Sequence, residues 1–325
     1  MPEMQPESAT RPGIVIVPAA LFGIVLGLGG LGSAWRIATR LWPLPAAVGE
    51  ALVLLAAAIW AVLLAMFARK WLSARAVAQR EADDPVLAFS IGIVPMATML
   101  VGVALKPYHQ LLGWAIFIAG LVAGVLYAAS LMGKSWQGGR ASTASTPLMY
   151  LTPVGAGFLG AMGAGAYGQS DLAAFLWGAG AISWIIIEAA VLQRLMSEPL
   201  PVTLRATVGI QLAPPAVGCM SYLAFTAGPA DLLAHALLGY ALLQALIILR
   251  LSAWLREQPF GPGAWSYTFG LAALSVATLT MLERGQTGTM ALLAPAIFIV
   301  ANVAIGWIAV RTLMLALAGR LLPRQ

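Results

Sequence analysis

The chain has 325 residues, of which 61% are hydrophobic and only 9% charged, with a formal net charge of +6. A soluble domain of this length would lack the charged surface it needs, and long unbroken apolar runs do not suit the alternating strands of a membrane barrel, so the composition specifies an all-α polytopic membrane protein. The basic excess of such a chain reports orientation rather than nucleic-acid binding, and the lone Cys219 leaves no disulfide framework and no cysteine metal site.

Residues 1–13 are polar, carry Glu3 and Glu7, and are expected to form an N-terminal cytoplasmic tail. The apolar run that follows is too long for a signal-peptide core and reads as a retained first span. Ten apolar segments can each cross a bilayer as a helix: 14–35, 48–68, 86–105, 110–132, 148–168, 171–193, 203–226, 231–251, 263–282 and 289–317. They define one transmembrane domain over residues 14–318, followed by a short cytoplasmic tail, 319–325. The longest links, 69–85 and 133–147, are short and polar. Ten spans return the chain to its starting side, and fourteen of the eighteen Lys and Arg residues then fall on that side, leaving Arg36, Arg40, Lys106 and Arg284 on the other. The positive-inside rule places both termini in the cytoplasm of a cell whose inner membrane holds the protein.

Proline alternates along the spans. Pro18, Pro95, Pro153 and the pair Pro214–Pro215 fall in spans one, three, five and seven, whereas spans two, four, six and eight have none in their interiors. Proline removes a backbone hydrogen bond and bends a helix, and the freed carbonyl must face protein or water rather than lipid. The pattern predicts five helical hairpins around a central pore, odd helices inside and even helices outside. Span ten, with Pro295, breaks the alternation.

Span nine carries no proline, but it has a small face, with Gly263, Ser266, Gly270, Ala273 and Ala277 at steps of three and four. Phe269 lies on that face, and Gly270 beside it could allow a kink. A bulky ring there either plugs a lumen or packs between helices, and the residues alone leave both readings open. Glycine spacings are frequent elsewhere: Gly23 with Gly27, Gly120 with Gly124, and the run Gly155, Gly157, Gly160, Gly163, Gly165. They suit close helix packing, and the run in span five would also suit a narrow channel wall.

Ionisable groups inside spans are costly and mark function by default. Glu188 in span six is the clear case, with Arg205 opening span seven at a similar depth. The pair reads either as a structural ion pair or as a proton-coupling site. His109 and His235 sit at separate link positions and do not form a metal pair. No HExxH, GxSxG or Walker-type motif occurs, so no catalytic residue, metal ligand or cofactor site is assigned, and an enzyme or ATP-driven pump is disfavoured. The interiors of the odd spans hold no Asp or Glu, which argues against a cation path lined by acidic rings. Free amides of kinked helices, with hydroxyls such as Thr98, Thr152, Ser266 and Thr268, would suit weakly held anions.

The segments RATVGIQLAPPAVGCMSYLAF, WSYTFGLA, PMATMLVG, LFGIVLGLGGLGSAW and KSWQGG resemble the tellurite-resistance/C4-dicarboxylate transporter (TehA-like) family, to which plant slow anion channels and fungal malate permeases are related. The resemblance covers nearly the whole chain. It implies ten helices in five hairpins, a pore within each protomer lined by odd helices, and homotrimers. It implies that Phe269 occludes the pore and that Gly23, Gly27, Pro95, Pro153, Pro214, Ser266, Gly270 and Ala273 surround it. Substrates would be small anions of halide or nitrate type, tellurite or a dicarboxylate. The alternative is a proton-coupled dicarboxylate (malate) transporter with Glu188 carrying the proton. One departure is Val25, where the family often has proline.

Overall fold

The computed structural model describes residues 17–321, so the tail 1–13, the start of the first span and residues 322–325 lie outside the described residues. Ten helices are long and apolar enough to cross a membrane: Ala19–Leu41, Ala46–Ser73, Leu87–Leu105, Gln110–Trp136, Pro147–Ala166, Ser170–Ser197, Val202–Phe225, Leu232–Arg250, Pro262–Glu283 and Thr289–Leu317. They are referred to below as spans one to ten, and no strand occurs among the described residues.

The two classes of span differ in backbone. Each even span is an unbroken α-helix of 19 to 29 residues. Each odd span begins as a 3₁₀ helix and continues as an α-helix. The switches run from Ala19–Phe22 to Gly23–Leu41, Leu87–Gly92 to Ile93–Leu105, Pro147–Leu151 to Pro153–Ala166, Val202–Leu212 to Ala213–Phe225, and Pro262–Tyr267 to Thr268–Glu283. A 3₁₀ run of eleven residues in span seven is long for that geometry, which rarely exceeds three or four.

This corrects the expectation that the prolines bend helix interiors. Pro95, Pro153, Pro214 and Pro215 stand in the first turn of an α-helical segment, and Pro18 immediately precedes the first 3₁₀ turn. Hydrogen bonding changes there from i−3 to i−4 acceptors, so a missing N–H is least costly. Proline marks the switch of helix type rather than a bend. Pro295, in span ten, is the one proline past the first turn of an α-helix among the described residues.

The odd spans touch in a closed cycle: one against three, three against five, five against seven, seven against nine, and nine against one. In their apolar windows 72–89% of residues are buried, against 22–33% for the even spans. The glycine spacings account for the close approaches. A Cβ on Gly102 would lie 2.4 Å from the Phe117 nitrogen, and one on Gly157 would lie 2.6 Å from the Gly180 Cα. The glycine run of span five meets Met96 of span three, Gly180 of span six, Leu121 and Phe117 of span four, and Phe225 of span seven. Its several small faces serve several packing partners, and only Gly155 borders the central cavity described below.

The link after span two is not irregular. Arg75–Asp83 forms a short helix, termed the mouth helix below. Lys70, 1% exposed, anchors it: Nζ donates to the Val17 carbonyl at 3.0 Å and to Glu81, and lies 4.2 Å from the Phe67 ring centroid. The other Glu81 oxygen accepts from the Ala19 N–H at 3.0 Å, where span one begins. Hydrogen bonds from Lys134 and Gln79 hold the Asp83 carboxyl below its ordinary range.

Candidate functional site

The odd spans enclose a cavity of about 540 Å³ at the ends where they are 3₁₀ helices. Its lining follows from that geometry. A 3₁₀ helix turns once in three residues, so side chains at i and i+3 stand in one straight file. Each span contributes such a file: Ala20, Gly23 and Leu26; Leu87, Ser90, Ile93 and Met96; Leu148, Leu151 and Val154; Leu204, Thr207, Ile210 and Ala213; Gly263, Ser266 and Phe269. The mouth helix adds Val77, Arg80 and Glu81, and Asp84 follows it.

Phe269 is 6% exposed and stands last on its file, one residue into the α-helical part of span nine. Its ring lies against span one, where a Cβ on Gly30 would be 3.5 Å from the Phe269 Cδ2. A second ring, Phe158, also borders the cavity and is 1% exposed. Trp177 and Trp184 hold it, at centroid distances of 6.0 and 6.4 Å, and Gly180 and Gly218 leave room for it.

Of the residues expected to line a pore, Gly23, Pro214 and Ser266 border the cavity, as does Phe269, the expected gate, whereas Gly27, Pro95, Pro153, Gly270 and Ala273 do not. A Cβ on Gly27 would fall 2.3 Å from the Thr268 Oγ1, so this glycine admits span nine. Pro95 packs toward Gly120 and Gly124 of span four. Pro153 opens the α-helical part of span five, off the file. A Cβ on Gly270 would sit 2.9 Å from the Ala213 nitrogen, and Ala273 is fully buried. A face drawn at 3.6 residues per turn carries Gly263, Ser266 and Phe269 together with Gly270 and Ala273, whereas the file that borders the cavity holds only Gly263, Ser266 and Phe269.

Three of the cavity hydroxyls keep their protons on the backbone, and Tyr150 gives its proton to Glu188. Ser90 donates to the Leu87 carbonyl and Thr207 to the Leu204 carbonyl, each at 2.6 Å, and Ser266 donates to the Ala206 carbonyl. Thr98, Thr152 and Thr268 do the same toward Val94, Phe89 and Trp265, away from the cavity. The wall is thus apolar with hydroxyl oxygens turned to acceptor duty, and charge is confined to the mouth.

Glu188 and Arg205 do not pair, which corrects that expectation. Glu188 accepts from the Tyr150 hydroxyl at 2.6 Å, the Trp184 Nε1–H at 2.9 Å and the Tyr240 hydroxyl at 2.8 Å, joining spans five, six and eight. Arg205 pairs with Glu257, donates to the Trp254 carbonyl at 3.2 Å and stacks 4.5 Å from the Trp254 ring. At about 2.0 Å per residue instead of 1.5 Å, the 3₁₀ segment carries Arg205 about 4 Å further from Pro214 than an α-helix would.

Sequence reasoning missed Phe158, Tyr150, the Met96 file and the mouth helix. The i+3 repeat of Leu87, Ser90, Ile93 and Met96 is visible in the sequence once the period of three is known.

A closed cycle of five half-3₁₀ spans around an apolar cavity, with charge only at its mouth, is the form of a polytopic channel-like membrane protein. Residues 17–313 match the SLAC1 family model, described as voltage-dependent anion channel, and the chain belongs to that family. Over 298 residues, 91% of this chain and 90% of the relative, it is 34% identical to the tellurite resistance protein TehA homolog of Haemophilus influenzae (strain ATCC 51907 / DSM 11121 / KW20 / Rd).

Proposed function

We propose that the chain is an anion channel-like permease of a bacterial cytoplasmic membrane, with both termini cytoplasmic, a conduction path through each protomer and Phe269 occluding that path. One observation carries the reading: the five files converge on a cavity whose inner end holds Phe269 and whose wall, within the spans, has no carboxylate. An ion entering from the mouth meets a ring that fills the lumen and offers it neither hydration nor coordination. The absence of fixed charge past the mouth suits weak binding and fast passage of halide- or nitrate-like anions. Tellurite and dicarboxylates are further candidate substrates, tellurite resistance being the property in the relative's name. Protomers assemble as homotrimers, as the family resemblance implies.

The proton-coupled alternative draws less support. Glu188 would carry the proton, yet its two carboxylate oxygens already accept from three donors that tie spans five, six and eight together, an arrangement that suits a structural post. Reconstitution in liposomes separates the two readings. A channel gives anion flux that follows the anion gradient and ignores an imposed pH gradient. Flux that requires a proton gradient would instead establish coupled transport.

A further inference from the structure

The mouth helix brings three charged side chains to the cavity rim within four residues of Asp84: Arg80, Glu81 and Asp84 line it together. Both carboxylates are committed to other partners. Glu81 binds Lys70 and the Ala19 N–H, and one Asp84 oxygen accepts from the Val86 and Leu87 N–H groups at 2.8 and 2.7 Å, starting span three. Arg80, although followed by an acid at the next position and another at i+4, has no ion pair and no side-chain hydrogen bond among the described residues. Its side chain is exposed at the rim. Deeper in the cavity Ser90, Thr207 and Ser266 spend their hydroxyl protons on the backbone and Tyr150 spends its own on Glu188. Around this rim, Lys and Arg outnumber Asp and Glu twelve to six among the described residues of the cavity-side half, while the opposite half is matched at four to four.

We propose that Arg80 is the selectivity residue of the vestibule: its guanidinium, uncommitted while the neighbouring acids are bound, raises the concentration of small anions at the rim and depresses that of cations. The inference rests on the conduction reading for its purpose but not for its test. A fixed charge at a mouth with low-dielectric walls focuses its field into the cavity. The effect acts through distance and is screened by salt, with a Debye length near 30 Å at 0.01 M and near 3 Å at 1 M. Contact chemistry or a folding defect would not show that salt dependence.

The test places a cysteine on a cavity file, Ser266→Cys or, nearer the rim, Leu204→Cys, in full-length protein with Cys219→Ser. Rates of modification by an anionic and a cationic methanethiosulfonate of similar size report the local potential, whether or not the protein conducts. At 0.01 M salt, Arg80→Glu should lower the anionic-to-cationic rate ratio roughly tenfold, the order expected for a two-unit change of charge about 10 Å away in water read by reagents of opposite sign. At 1 M salt the ratio should return to within about twofold of the parent. Arg80→Lys should keep the parental ratio. Arg75→Glu, on the same helix but about 7.5 Å further along it and away from the cavity lining, should lower it by a clearly smaller factor. An unchanged ratio in Arg80→Glu, an equal change in Arg75→Glu, or no labelling at either cysteine by either reagent would each overturn the proposal. A protein that labels as expected but passes no anions would count against conduction alone.

Discussion

Glu188 occupies a place where a proton carrier could act, half-buried in a span and one hydrogen bond from the cavity-lining Tyr150. Its surroundings suit a structural post instead, since three donors from spans five, six and eight meet on one carboxylate. Glu188→Gln would place an amide N–H₂ among donors and leave at least one of them without an acceptor. The expected loss is about 1–3 kcal/mol of stability, seen as a lower thermal midpoint, with the pH dependence of flux unchanged. Flux that loses its proton dependence while the midpoint holds would restore the coupled-transport reading. A fully buried charge makes a sharper case. Lys70 is 1% exposed and depends on Glu81 for its counter-charge. Glu81→Leu should cost roughly 3–5 kcal/mol, because it strands a buried ammonium, whereas Lys70→Met with Glu81→Leu should recover much of that loss. Denaturation of the single and double variants gives the comparison, and a double variant less stable than the single would contradict it.

The odd spans work as elements because they are two helices in one. The 3₁₀ half gives a straight file with a period of three and a long rise, and the α half packs tightly through glycines and small residues. Cysteine scanning from residue 203 to 213 tests the geometry directly. Modification from the cavity side should peak at Leu204, Thr207 and Ile210, with Ala206, Val208 and Gly209 protected. Protection at Ile210 together with labelling at Val208 would indicate an ordinary α-helix. Much of this architecture is legible in the sequence: ten apolar runs give the spans, and prolines fall where the helix type changes. The helix type itself is not legible, because a 3₁₀ segment held by its neighbours uses the same apolar residues as an α-helix. An α-helical reading therefore groups Ser266 and Phe269 with Gly270 and Ala273, and sets Glu188 and Arg205 at a similar depth. The mouth helix was hidden differently, as a polar link whose fold depends on Lys70 and Ala19, remote in the sequence.

At the scale of the whole molecule the charge distribution has a direction. The cavity opens on the half that carries the basic excess, which the positive-inside rule assigns to the cytoplasm. Single cysteines replacing Arg75 and Arg256 should therefore label with an impermeant reagent from one side of the membrane, and those replacing Arg40 and Arg284 from the other. Labelling of the Arg75 and Arg284 replacements from the same side would overturn the topology. The central claim is that Phe269 closes an otherwise formed path, and anion current through Phe269→Ala tests it most directly. The ring can be removed without dismantling the wall, since spans one, seven and nine meet through Gly27, Gly30 and Gly270 rather than through the phenylalanine alone. In planar bilayers Phe269→Ala should raise anion conductance at least about tenfold over the parent, with anions still preferred to cations and Phe269→Leu intermediate. Phe225→Ala, which alters a ring outside the cavity, should leave conductance at the parental level. A Phe269→Ala protein that folds with the parental oligomeric state yet conducts no more than the parent would show that the ring is packing and that the cavity does not lead to a path.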